Sequence, residues 1–424
     1  MLGTPQTSSL HCHLPVATLI AVSEPNNSDL LSVAQAIAIL DAAPAEPWTL
    51  RKKIGDAQGY RIAADLVADR DYPPFDKSAM DGFAVRCADI EAVPHELKLV
   101  DEIAAGGVSS RPLQQGETMA IMTGAPLPEA ADGVVPVEFA EKLEASRVRL
   151  QQKPTPEKFI TRQGGDCAKG ATLLRTGDAL HAAQLAVAAS VGAAELEVFA
   201  APHVGVLATG NEIVAIDQTP SAVQIRNSNN VMLVSLLKRL GCEPRDLGIV
   251  RDDPLEIRAS IELGIAGNDV LLVSGGMSMG EYDFVPRVLK DLGFQLQITK
   301  LRVKPGKPFV FATRGKKFVF GIPGNPVSGF CCTLRLVNRV LTRLAGGKID
   351  ESWRHAKLTE DLPANGPREF YQPAKIHGDE LTPLAWKGSA DIFTLAAANA
   401  LLVRAENEPA RKAGEIVTAL EIPQ

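Results

Sequence analysis

The chain lacks most of the features that assign a function quickly. Its six cysteines, Cys12, Cys87, Cys167, Cys242, Cys331 and Cys332, contain no CxxC pair and no His/Cys cluster of zinc-site spacing. Neither a disulfide framework nor a structural zinc site is therefore written into it. The adjacent Cys331 and Cys332 fall in a helical stretch and read as packing residues. Positive charge is not in excess: 44 Lys and Arg against 50 Asp and Glu leave a net charge of -6. No global field exists to hold nucleic acid. The apolar run Leu14 to Val22 is too short to cross a bilayer and has no basic flank of a secretory signal. No membrane and a reducing, cytoplasmic setting are the expectations. His11-Cys12-His13 reads as part of a polar tail.

What is present is length and alternation. With 424 residues, roughly 100–200 per domain suggests two to four domains. Leu30, Leu31, Val33, Ala34, Ile37 and Leu40 form an apolar stripe that predicts a helix near Asp29 to Ala43. Ser28 is favoured as its N-cap over Ser32, although Ser32 and Gln35 have capping-box spacing. From 69 to about 160, glycines, prolines and short β-prone runs (His95 to Val100, Glu117 to Met122, Gly133 to Phe139, Arg147 to Leu150) predict a β-rich domain. His181 to Val191 resumes a helix. From His203, strands (Val204 to Ala208, Val270 to Val273, Phe318 to Ile322) alternate with helices (Asn230 to Leu240, after Asp253-Pro254, Asp283 to Leu292, Pro326 to Leu344). This pattern predicts a mostly parallel, doubly wound sheet. The last stretch turns all-β, with strands at Phe370 to Ile376, Leu401 to Val403 and Ile416 to Ile422, and fits a small barrel or sandwich.

Ligands of a doubly wound sheet bind beyond the C-terminal strand ends. Three Gly- or Pro-rich loops leave such ends: Thr209-Gly210-Asn211-Glu212, the loop Ser274 to Gly280 with Gly275, Gly276 and Ser278, and Pro323-Gly324-Asn325-Pro326-Val327-Ser328. Glycine lets backbone amides approach a phosphate, and a helix N-terminus adds a favourable dipole. The nearby acids Glu212, Asp252, Asp253 and Asp283 read either as caps and first-turn acids or as ligands of a Mg²⁺ ion bridging to phosphate. Lys304-Pro305-Gly306-Lys307-Pro308 sets two ammonium groups on a stiff turn, which is either solvated decoration or an anion site. Asp71 to Val85, containing Ser78, Met80 and Asp81, has no periodicity and reads as an ordered binding loop.

These motifs, in this order, resemble the molybdopterin molybdenumtransferases, the family of the bacterial MoeA proteins and the E domain of gephyrin. They are PPFDKSAMDGFAV, IMTGAPLP from Ile121, VLATGNEIV from Val206, IRNSNNVML from Ile225, SGGMSMGEYDFV from Ser274, VKPGKPFVF from Val303 and GIPGNPVS from Gly321. The resemblance runs from about Asp29 to the C-terminus. It implies an elongated, four-part subunit in a homodimer: a discontinuous linker domain 28–68 and 164–202, a β-rich domain 69–163, an α/β domain 203–347 and a β domain 348–424, with residues 1–27 left outside it as a tail. It implies adenylylated molybdopterin and molybdate as substrates, with AMP and the molybdenum cofactor as products and Mg²⁺ as cofactor. A pterin adenylyltransferase and the enzymes that receive the cofactor would be its partners.

Position by position, Asp81, Thr123, Asp166, Glu212, Asp252 and Asp283 match polar residues of the family's active site. Of these, Asp81 and Thr123 are expected from the partner subunit, and Glu212 and Asp283 are expected to hold the metal. Gly275, Gly276, Ser278, Lys304, Lys307, Pro323, Pro326, Ser328, Arg368 and Ser389 match substrate- and molybdate-binding positions. The chain departs from the pattern at Thr161 to Asp166, which is poorer in arginine than in many relatives, and at Asn211, where many have Asp. Two other readings compete. An adenylyltransferase shares the sheet domain but needs no SAMDG loop. A pure scaffold has no reason to keep the acids and the lysine pair together.

Overall fold

The computed structural model describes residues 30–144, 146–277 and 284–423. The expected tail, Ser28, Ser278 and Asp283 lie outside them.

The first helix, Val33–Ala42, is capped by Ser32, not by the expected Ser28. Ser32 and Gln35 form both halves of the capping box, so two helix-end amides are satisfied reciprocally. Val33, Ala36 and Leu40 of this helix are buried in the core of the α/β domain. The chain then builds a three-stranded sheet from Thr49–Lys53, Arg61–Ile62 and Glu195–Phe199. The last of these strands, with helix Ala182–Ser190, returns only after the β-rich domain has been inserted.

That insertion is a six-stranded sheet in the order Gly133–Pro136, Gly82–Val85, Glu117–Ile121, His95–Ile103, Arg147–Leu150, Ala140–Leu143. Two apolar clusters fill it, one around Phe83, Val135 and Leu150 and one around Ile103, Met119 and Ile121.

The α/β domain orders its strands Glu243–Val250, His203–Thr209, Val270–Ser274, Lys317–Ile322, Val310–Arg314, Gln295–Ile298. The first four pair in parallel, and Val310–Arg314 alone runs against the rest. Every residue of Val270–Ser274 is buried, as expected of a strand covered on both faces. Helix Ser228–Arg239 and the helical run from Pro326 to Leu344 cover one face. Pro254–Ala266 and Val285–Asp291 cover the other. The run from Pro326 is not the single α-helix that its pattern predicts. A π turn, Thr333–Val337, interrupts it.

The C-terminal strands Trp353–Leu358, Glu380–Pro383, Glu369–His377, Ala400–Arg404 and Ile416–Glu421 close into a five-stranded barrel. A sixth strand reaches it from the α/β domain. Val303–Lys304 pairs in parallel with Glu369 and Phe370, which fastens the barrel to the sheet domain.

Candidate functional site

The strand order reverses between His203–Thr209 and Val270–Ser274, and a crevice opens outside the carboxyl ends of strands at such a switch point. A cleft of about 680 Å³ lies there. All three loops singled out from the sequence line it, with Thr209, Gly210 and Glu212 from the first, Gly275, Gly276 and Met277 from the second, and Pro323, Gly324, Asn325 and Pro326 from the third. The backbone could not take this path with side chains. A Cβ at Gly275, where φ is +96°, would lie 2.4 Å from the Thr209 carbonyl oxygen, and one at Gly276 would lie 2.8 Å from the Thr209 hydroxyl.

The acids divide by role. Asp253 is an N-cap, accepting from the amides of Leu255 and Glu256 at 2.9 Å each. Its neighbour Asp252 lines the cleft, and its Oδ2 accepts from the Asn211 amide at 3.1 Å. Asn211 Oδ1 returns a bond from the Asp252 amide at 3.3 Å. The residue that departs from the family pattern thus ties the first loop to the strand end beyond Val250. Glu212 starts no helix, which corrects its reading as a first-turn acid. The short strand Ile213–Val214 comes next instead. The Glu212 carboxylate folds back over Gly210, where a Cβ would meet Oε2 at 2.7 Å.

The cleft also holds residues that the sequence reading did not assign. Helix Ser228–Arg239 points its start at the cleft, with Asn227, Ser228 and Asn229 in the lining. Asn229 Nδ2 donates to Ser274 Oγ at 3.0 Å and to the Gly324 carbonyl at 2.6 Å, bridging the second and third loops. Arg226 supplies a cation. The Thr209 hydroxyl is buried with no hydrogen-bond partner, an arrangement that costs about 1–3 kcal/mol unless a ligand answers it. The only signal for these side chains was their membership in the TGNE and IRNSNN motifs.

The barrel closes the cleft from one side. Ser389 Oγ accepts from Asn325 Nδ2 at 2.9 Å, its carbonyl accepts from the Val327 amide at 3.0 Å, and Ala390 and Ile392 reach the lining. Pro308 brings the lysine turn to the rim. Lys304 Nζ stands 4.9 Å from the Phe370 ring centroid, two residues from Arg368, so both cations belong to the seam between strand and barrel. Lys307 is half-buried on the same turn, and its carbonyl accepts from the Leu301 amide. Ser328 is 3% exposed, inside the helix, and does not line the cleft.

The β-rich domain contributes nothing to that lining. It does bring Asp81 and Thr123 together, 42 residues apart in sequence. Asp81 Oδ1 accepts from the Thr123 hydroxyl at 2.7 Å and its amide at 2.6 Å. These bonds, the hydroxyl's first, hold the Asp81 carboxyl below the usual aspartate range. Ser78, fully buried, bonds the Met80 carbonyl at 2.6 Å and so shapes the loop that presents Asp81. Asp166 is exposed, its amide donating to the Tyr72 carbonyl. Arg162, the one arginine of its segment, is engaged by Asp76 and Glu157.

Comparison with known proteins agrees over most of the chain. The family described as the MoeA N-terminal region (domain I and II) matches residues 31–192. A probable molybdopterin binding domain matches 205–343, and the MoeA C-terminal region (domain IV) matches 355–422. The molybdopterin molybdenumtransferase of Nostoc sp. is 33% identical over 87% of each chain. That of Haemophilus influenzae is 31% identical over 90% of this chain and 95% of its own. The crystal structure of a molybdopterin biosynthesis MoeA protein from Pyrococcus horikosii superposes with a TM-score of 0.82 at 29% identity, covering 93% of this chain and 100% of that one. The chain belongs to the molybdopterin molybdenumtransferases, the MoeA family of molybdenum cofactor biosynthesis.

Proposed function

We propose that the chain takes adenylylated molybdopterin into the sheet-domain cleft and joins it to molybdate, releasing AMP and the molybdenum cofactor. The observation that carries this reading is the cleft itself. It combines glycine-rich loops, a helix start, the unanswered Thr209 hydroxyl, two carboxylates and Arg226, and the lysine turn reaches its rim at Pro308. An acidic protein that gathers two anionic reactants needs such local positive charge. Lys304, Lys307 and Arg368 bind the oxyanion, with the arginine able to grip two of its oxygens. Ser389 holds the barrel loop against Asn325, which orients this wall.

The donor set fits Mg²⁺. Glu212 and Asp252 offer hard oxygens into the cleft. No group of three or more His, Cys, Asp or Glu residues that could hold a metal occurs among the described residues, and Mg²⁺ beside phosphates typically needs only one or two carboxylates. Glu212 would hold the ion with Asp252 of the same lining, while the expected second ligand, Asp283, lies outside the described residues; the ion would supply charge neutralisation at the pyrophosphate. The sulfurs that receive molybdenum belong to the pterin, so no cysteine is required. The buried Cys331 and Cys332 fit packing alone.

The Asp81–Thr123 corner completes the site from a second copy of the chain in a homodimer, where the ionised Asp81 orients the pterin end or accepts a proton. Exposed apolar residues beside both regions support such a contact: Phe75, Met122 and Val137 near the corner, and Ile216, Val223 and Ile225 near the cleft mouth. A cytoplasmic location and exchange with a pterin adenylyltransferase and cofactor-receiving enzymes belong to the same reading.

Turnover tests it. Purified protein is given adenylylated molybdopterin, molybdate and Mg²⁺, and AMP and active cofactor are followed together. The reading requires AMP release that depends on molybdate and yields active cofactor. Tight pterin binding without turnover would make the chain a carrier, and transfer of AMP from ATP to the pterin would make it an adenylyltransferase.

A further inference from the structure

Beside the pairing of Val303–Lys304 with the barrel runs a polar chain, buried at Tyr371 and half-buried at Arg335, Glu351 and Glu369, that none of the roles above uses. Successive residues of Glu369–His377 face opposite sides of the strand. Phe370, with Lys304 over its ring, is on one side, and Glu369 and Tyr371 are on the other. Tyr371 is 1% exposed. Its hydroxyl donates to Glu369 and accepts from Arg335 Nε at 2.9 Å. Arg335 is itself fixed. It pairs with Glu351, and its guanidinium stands 5.0 Å from the Trp353 ring centroid. Glu351 also accepts from Arg339 at 2.6 Å and from Trp353 Nε1 at 3.1 Å.

Two features give this network a direction. Arg335 sits in the π turn Thr333–Val337. An extra residue in one turn rotates the rest of the helix by about 100° relative to a plain α-helix, and π turns recur at functional sites. The same helical run starts at Pro326, in the cleft lining. One end of the network is therefore a helix rooted at the pterin cleft. The other is the strand that pairs with Val303–Lys304 and begins directly after Arg368. Burial raises both the Glu369 carboxyl and the Tyr371 hydroxyl above their usual ranges, because it disfavours the charged form.

We propose that Arg335, Tyr371 and Glu369 form a strut that sets the distance between the cleft and the oxyanion-binding cations Lys304 and Arg368. They are positioning residues for metal insertion. The inference rests on the assignment of the oxyanion to those two cations. A connected hydrogen-bond network anchored on a buried side chain rigidifies its surroundings, and misplacing one of two bound reactants by about 1 Å can cost about 100-fold in rate.

The test measures two affinities on each variant of the full-length protein: molybdate, by its KM in turnover and by direct binding of the anion alone, and adenylylated molybdopterin, by equilibrium binding without molybdate. Tyr371→Phe keeps the ring and removes both hydrogen bonds. It should raise the molybdate KM about tenfold while pterin binding changes less than about twofold. Glu369→Gln, which keeps an acceptor for the tyrosine, should restore most of the molybdate affinity that Glu369→Ala loses. If Tyr371→Phe does not fold, Arg335→Lys keeps the charge against Glu351 and shortens the reach to Tyr371, and the same split is expected of it. A folded variant with both affinities unchanged, or with both reduced alike, overturns the strut. Lys304→Ala and Arg368→Ala serve as controls. Should they bind molybdate as the parent does, the oxyanion assignment fails. Should they lose it while Tyr371→Phe and Arg335→Lys keep it, only the strut fails.

Discussion

The sheet-domain cleft and the Asp81 corner both present acids on loops, yet they differ in how finished they are. The cleft is concave, about 680 Å³, with one buried hydroxyl unanswered and strand ends, helix starts and a barrel wall converging on it. The corner lends no residue to that lining. One oxygen of its carboxylate, Oδ1, takes both donors of Thr123. The cleft is built to receive a ligand. The corner is built to hold one charge ready and must borrow the rest of its surroundings. The difference shows that an acid's neighbours, more than its presence in a motif, indicate whether it binds or is kept ionised for later use.

The sharpest way to break the comparison is at the cleft. Gly275→Ala would push a Cβ into the Thr209 carbonyl at a φ of +96°, and kcat/KM should fall about 100-fold or more with pterin binding weakened. A fall confined to the molybdate KM would contradict the cleft assignment. Next comes Arg368→Ala, which on the proposed reading removes a charge-assisted contact to the oxyanion. The molybdate KM should rise about 10–100-fold with pterin binding intact.

A smaller effect is expected at the corner. The Thr123 bonds depress the Asp81 pKa, so the ionised form is kept until pH falls through that lowered value. Thr123→Val removes the first of those bonds. The Asp81 titration followed by NMR should then move up toward the ordinary aspartate range, and the acid limb of the rate profile should move with it. No movement would mean that the pair carries no electrostatic role.

The smallest effect is at the thiols. Burial pushes Cys242 and Cys332 up to about 12 and Cys331 well above its usual value. Alkylation at neutral pH should leave all three unmodified and turnover unchanged. Ready alkylation of any of them at neutral pH would contradict their burial as packing residues.

Much of the fold was legible because local signals dictate it. Asp253 before Pro254 marks a helix start in sequence and in structure, and the buried strand at Val270 needed only its apolar run. What was missed depends on partners distant in sequence. Ser32 prevails over Ser28 as a cap because Gln35 closes the box. The π turn at Thr333 leaves no trace in an apolar pattern that fits a plain helix. The pairing of Val303–Lys304 with a strand about 65 residues further on has no periodic signature either, since only the folded chain brings the two together. The same holds within the site. The glycine loops, Thr209 among them, announced the cleft, whereas Arg226 and Asn229 belong to it only through where the folded chain places them.

The central claim is that cleft and corner form one reaction centre across two copies. The most direct measurement mixes Asp81→Ala with Asp252→Ala protein, each nearly inactive alone, under conditions that exchange subunits. Half of the dimers are then mixed, and each carries one centre with both acids intact. The account predicts recovery of roughly a quarter of the parent turnover. A mixture that exchanges subunits and stays inactive would contradict it.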